Sequence, residues 1–155
     1  CMWKIDAMET LVRELKTKGY GLYICSNASI RLPSICMDVI PAAECFDGML
    51  FSAEIKYLKP QKEMYEHLFC RFGLKPEECY FIDDLPMNIE GAKACGMDGH
   101  CFADGSVENL RKDLEDMVKN GYEGYFTQEL TAPAYYLDPF RYDKRNVQNL
   151  RMYME

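Results

Sequence analysis

Between Cys79 and Gly96 the chain reads CYFIDDLPMNIEGAKACG. Tyr80, Phe81 and Ile82 run straight into two adjacent carboxylates, Asp83 and Asp84. A short loop follows, then a small helix carrying Asn88, Ile89, Ala92 and Ala94 leads to Gly96. A buried strand that delivers acidic residues at its C-terminal edge, just before a helix, is where open α/β sheets build their sites. Two neighbouring carboxylates with no basic residue beside them in sequence repel each other. A bound cation is the simplest way to hold both ionised. The competing reading is that they cap the following helix, a position that suits aspartate. Two carboxylates do not define a metal or its geometry, so both readings stand on the local sequence.

The rest of the chain supplies the sheet this strand needs. Asp6, with Glu9 three residues on, reads as a capping box opening a helix. Met8, Leu11, Val12 and Leu15 form its apolar stripe, and Gly19 its terminator. Tyr20–Cys25 is a compact apolar run ending in Ser26-Asn27-Ala28-Ser29. A hydroxyl and an amide at that edge suit an anion, and suit a turn equally well. Pro33 opens a weaker helix through Ile35, Cys36 and Val39, which Pro41 ends. Met49-Leu50-Phe51 is a short strand followed by a polar loop with Ser52 and Glu54. Lys59-Pro60 precedes a stronger helix, with Pro60 in its first turn, Met64, Leu68, Phe69 and Phe72 on one side, and Gly73 closing it. Beyond the central motif come a short strand at His100–Ala103 and a helix capped by Ser106, with Val107, Leu110, Leu114, Met117 and Val118 on its apolar side. Helix and strand thus alternate up to Lys119, the pattern of a parallel α/β sheet. Residues 1–119 read as one core and 120–155 as a C-terminal extension. The extension is aromatic at Tyr122, Tyr125, Phe126, Tyr135 and Tyr136, then strongly charged.

The totals narrow the function classes. A net charge of -7, without a basic run interleaved with aromatics, argues against a nucleic-acid surface. No apolar stretch approaches membrane-spanning length, and no signal peptide is visible. Eight cysteines are scattered singly, without CxxC or Cys/His spacing, which reads as reduced thiols in the cytoplasm rather than a zinc or disulfide framework. The chain begins at Cys1 rather than Met, which points to an upstream segment.

Taken in order, the motifs resemble those of the haloacid dehalogenase-like (HAD) hydrolases, in their subgroup of small phosphatases and phosphomutases. Ser26-Asn27 resembles the second motif of that family, whose hydroxyl binds the transferring phosphoryl group. Lys59-Pro60 resembles the third, whose lysine neutralises nucleophile and phosphate. Asp83-Asp84, with Asn88 and Gly91-Ala92 following, resembles the fourth, whose acids bind magnesium. The resemblance implies Lys59 and Ser26 as catalytic groups and Ser26, Asn27 and Lys59 as substrate contacts. It implies Asp83 and Asp84 as Mg2+ ligands, with Asn88 behind them. Such a site surrounds the charge of a phosphoryl group in flight with cations and fixed donors. The implied partner is a small phosphorylated metabolite.

The match spans roughly residues 4–119 and lacks one part. The family's nucleophile, the first aspartate of an Asp-x-Asp motif on an N-terminal strand, has no counterpart before Ser26, and the helical cap domain is absent too. The resemblance places the missing strand centrally, between Tyr20–Cys25 and Tyr80–Ile82, so the expected fold is an incomplete Rossmann-like parallel sheet with flanking helices. Two facing strand edges would then lie open, a liability that residues from Gly121 onward, or self-association, could cover. Two functions follow. One is the C-terminal part of a magnesium-dependent hydrolase acting on a small phosphomonoester through an aspartyl-phosphate, inactive as this chain alone. The other is a non-catalytic HAD-derived interaction module.

Overall fold

The computed structural model describes residues 2–28, 40 and 42–128. The chain opens with α1 (Met2–Thr17), whose Leu11, Val12 and Leu15 are buried. Asp6 does not cap this helix. The helix continues upstream of it, and the Asp6 carbonyl accepts a bond from Thr10 Oγ1 one turn on, as an interior residue does. Glu9 pairs with Arg13 at 2.8 Å instead of closing a capping box. Strand β1 (Gly21–Ser26) follows, and then the expected helix from Pro33, which lies outside the described residues. Strand β2 (Gly48–Phe51) runs directly into a one-turn helix, α2 (Ser52–Ile55), where a polar loop was expected.

Helix α3 (Lys62–Phe72) begins after Pro60 rather than around it, and Gly73 closes it in the left-handed conformation. Strand β3 (Cys79–Asp83) is buried at every residue. Helix α4 (Pro86–Ala94) and strand β4 (Asp98–Cys101) come next. Helix α5 (Val107–Lys119) is capped by Ser106, whose side chain accepts from the Asn109 amide. The last described element is a fifth strand, β5 (Tyr125–Gln128).

All strands are parallel, in the order β2-β1-β5-β3-β4. The segment that the sequence offers as a cover for an open edge is therefore a sheet strand at its centre. Leu22, Phe126 and Tyr80 lie abreast across β1, β5 and β3, one residue along from Gly21, Tyr125 and Cys79. Both faces are covered, as parallel sheets require. On one side α1 and α5 bring Leu11, Val12, Leu15, Leu110 and Leu114 against Leu22, Tyr80, Ile82 and Phe126. On the other, α3 and α4 bring Met64, Tyr65, Leu68, Ile89 and Ala92 against Cys25, Leu50, Cys79 and Phe81. Each large apolar side chain buried in this way contributes about 1.5–3 kcal/mol.

Entry into β5 demands a glycine. A Cβ on Gly124 would collide with the Glu78 carbonyl oxygen and with the Tyr122 ring. The Tyr122 hydroxyl in turn donates toward the carbonyls of Glu78 and Tyr125, at 2.9 and 2.8 Å. Among the described residues, Cys25, Cys45, Cys70, Cys79, Cys95 and Cys101 are free thiols. No described helix is long and apolar enough to cross a membrane.

Candidate functional site

Parallel strands deliver their C-terminal ends to one edge of the sheet, and three of the sequence-predicted residues meet there. Ser26 ends β1, Asp83 ends β3, and Lys59 reaches in from the loop before α3. The Lys59 ammonium donates to Asp83 Oδ2 and to the Cys25 carbonyl, each at 2.8 Å. Neither side chain of this ion pair has any exposed surface. Phe81 lies beneath, its ring centre 5.2 Å from Nζ. The two acids thus do have a basic neighbour, brought from a loop more than twenty residues away.

The surrounding groups hold this pair from every side. Asn27 clamps the Lys59 backbone with both ends of its carboxamide: Nδ2 donates to the Lys59 carbonyl at 3.0 Å, and Oδ1 accepts from the Lys59 amide at 2.8 Å. Asn88 Nδ2 donates to both Asp83 oxygens, at 3.0 and 3.1 Å. The Leu85 amide donates to Asp83 Oδ1 at 2.8 Å, so Asp83 also organises the turn into α4. The capping alternative does not hold, because the residue preceding α4 is Leu85 and no side chain caps the helix. Gly91 lets α4 press against the Lys59-Pro60 loop, since a Cβ there would stand 2.8 Å from Pro60 Cβ and 2.9 Å from its carbonyl oxygen.

Burial sets the electrostatics. It pulls the Lys59 ammonium below its ordinary range against the opposing pull of Asp83. It pushes the Cys25 thiol up to about 11, so that this cysteine is an inert packing group whose carbonyl serves the site. Asp84 titrates above the usual carboxylate range, through burial first and the neighbouring Asp83 second. Two participants were not singled out from sequence. The Cys25 carbonyl is a backbone acceptor and leaves no residue signature. Tyr65, on the buried side of α3, donates its hydroxyl to the Asn88 carbonyl at 2.7 Å and fixes that residue from behind.

A parallel α/β sheet with serine, lysine and aspartate gathered at its C-terminal edge is a Rossmann-type domain with polar groups where such sheets place their sites. The sequence pattern of the haloacid dehalogenase-like hydrolases matches residues 4–96, and the chain belongs to that family. It is 29% identical over 116 residues to flavin mononucleotide hydrolase 1 of Arabidopsis thaliana, covering 75% of this chain and 46% of that protein. A sesquiterpene phosphatase of Aspergillus oryzae is 31% identical over 99 residues, covering 64% of this chain and 50% of the relative. A HAD family enzyme of Bacteroides thetaiotaomicron, solved with magnesium and inorganic phosphate, superposes with a TM-score of 0.53 at 25% identity, over 64% of this chain and 51% of that one. The chain spans about half the length of these relatives.

The residues present do not by themselves form a magnesium shell. Both Asp83 oxygens are engaged by Lys59, Asn88 and the Leu85 amide. Among the described residues no group of three or more acidic, histidine or cysteine side chains converges to hold a metal. Magnesium is commonly held by one or two protein carboxylates, with waters and substrate phosphate completing its octahedron, and Asp83 with Asp84 could supply no more than that carboxylate share. Asn88 Oδ1 is buried and has no hydrogen-bond partner among the described residues.

Proposed function

We propose that this chain acts as a non-catalytic HAD-derived module, in which the family's charged residues form a structural ion pair. The carrying observation is the identity of the central strand. Tyr125-Phe126-Thr127-Gln128 lies between β1 and β3 and contains no carboxylate, so none of its residues serves as an aspartyl nucleophile. Lys59 cannot stand in, because its ammonium is committed to Asp83 and the Cys25 carbonyl and its expected task is charge neutralisation. Ser26 is 2% exposed and ends a core strand.

The convergence of Ser26, Lys59 and Asp83 favours a second reading. In it, these residues belong to a longer magnesium-dependent hydrolase of small phosphomonoesters, whose Asp-x-Asp strand supplies the nucleophile and a further carboxylate. Lys59 and Asp83, with Asn88 and Asn27 holding them, would then be the preformed side of the site, Ser26 a phosphate donor and Asp84 an outer acid. Phosphate release from p-nitrophenyl phosphate, with and without magnesium, separates the two. Residues 1–155 should release none above the buffer rate. Magnesium-dependent turnover by this chain would overturn the module reading, and turnover only in a chain extended by an Asp-x-Asp strand would establish the second.

A further inference from the structure

Among the described side chains four large apolar groups stand exposed: Tyr57, Leu58, Leu85 and Met87, each between 37% and 55% accessible. They are not scattered. Tyr57 and Leu58 precede Lys59, and Leu85 and Met87 follow Asp83, so both pairs stand on loops that the Lys59–Asp83 bond draws together. Met87 shares a face of α4 with Gly91, one turn further on, where the helix presses on Pro60. The backbone beneath the patch is fixed. The Leu58 amide donates to Gln61 Oε1 at 2.8 Å, and its carbonyl accepts from the Gln61 amide at 2.7 Å. The Tyr57 ring stacks on His67 of α3, with ring centres 5.7 Å apart.

The chain is delivered to the same place. Strand β5 is parallel to its neighbours, and its last residue, Gln128, stands in register with Ile24 and Ile82. Ile82 directly precedes Asp83, and Ile24 lies two residues before Ser26. Backbone continuing past Gln128 therefore leaves the sheet between Ser26 and Asp83. Residues 130–140, outside the described ones, read LTAPAYYLDPF. They carry one charge, Asp138, against Leu130, Tyr135, Tyr136, Leu137 and Phe140. Pro133 and Pro139 have no amide to donate, so side-chain docking rather than a longer β5 is the way to take these groups out of water. Reach is no obstacle. The adjacent strand is about 4.8 Å away and Leu85 is two residues beyond its end, whereas nine extended residues span up to about 30 Å.

We propose that residues 130–140 of this same chain fold back across the loops at 57–58 and 85–87, covering Tyr57, Leu58, Leu85 and Met87. The chain's own segment is the occupant the structure favours, because β5 releases it beside the patch. Tethering there gives it an effective concentration that a free partner of the same composition does not reach. The covered edge is the one that holds Ser26, Lys59 and Asp83, so the docked segment screens that edge from ligands. The inference goes beyond the module reading and does not depend on whether this chain releases phosphate.

Hydrogen exchange on the full chain should show the amides of residues 130–140 exchanging at least tenfold more slowly than in a synthetic peptide of the same residues. Leu85→Ser combined with Met87→Ser, both at exposed positions, should bring them to within about twofold of the peptide. Ile24 and Phe81 should stay as protected as in the parent. If that variant does not fold, Tyr135→Ser combined with Leu137→Ser gives the answer from the other side of the contact. Dilute peroxide should then oxidise the Met87 thioether at least fivefold faster than in the parent. Peptide-like exchange throughout residues 130–140, protection that survives the Leu85 and Met87 substitutions, or an unchanged rate at Met87 would overturn the proposal. A photo-cross-linker in place of Leu58, in a mixture of isotope-labelled and unlabelled protein, identifies the occupant. Cross-links to residues 130–140 within one isotopic form support the chain's own segment, and cross-links between the two forms, the mark of a second copy, would overturn it.

Discussion

Lys59 and Asp83 show what a charge pair enclosed in a core demands of its two partners. Both side chains are wholly buried, and such pairs repay their desolvation only while both partners are present. Lys59→Met should therefore destabilise the fold by about 3–5 kcal/mol, because Asp83 would keep a buried charge without its counter-ion. Combining it with Asp83→Leu should recover most of that loss, since a well-packed apolar pair replaces the ionic one. Urea denaturation of the single and double variants checks this, and an additive double variant would contradict the pairing. The residues themselves were legible in the sequence because Asp83 ends an apolar run and Lys59 stands beside the proline that precedes a strongly patterned helix. The pairing was not, because Lys59 and Asp83 meet only through tertiary structure. Asn27 illustrates the same limit. Its amide suits a substrate on paper, yet in the fold both ends of that amide hold the Lys59 backbone.

Among the elements, α1 and α5 lie side by side on one face of the sheet, linked by the Arg111–Glu14 ion pair. The bond from Arg111 holds the Glu14 carboxyl below its ordinary range. A carboxyl with a depressed folded pKa stabilises above its unfolded value, roughly 4.3, and loses that contribution as pH falls through the folded value. Glu14→Gln should accordingly be less stable than the parent at pH 7, with the difference closing below about pH 4. Chemical denaturation at pH 7, 5 and 3 tests this, and a difference independent of pH would refute it. Element boundaries were read less well than element types. Asp6 and Glu9 have the spacing of a capping box, but the residues before them continue the helix and the local signal gives way. Strand β5 was harder still. Four residues reading Tyr-Phe-Thr-Gln have no period of their own, and pairing with β1 on one side and β3 on the other makes them a strand.

For the whole molecule, the parallel α/β architecture was readable from the alternation of helix and strand, while the order of strands depended on the segment after Lys119. Because β5 is central, its amides should exchange hydrogen only in the opening that unfolds the entire sheet. Tyr125–Gln128 should therefore match the protection of Ile24 and Phe81, and protection lower by more than tenfold would show that the two halves separate on their own. The position of β5 also orders events on the ribosome. Synthesis proceeds from the N-terminus at about 5–20 residues per second, so β1 and β3 leave the peptidyl-transferase centre seconds before the strand that joins them is made. During that interval the nascent chain presents two unpaired, apolar strand edges, which is the kind of surface that holdase chaperones shield and that neighbouring polysomal chains can seize.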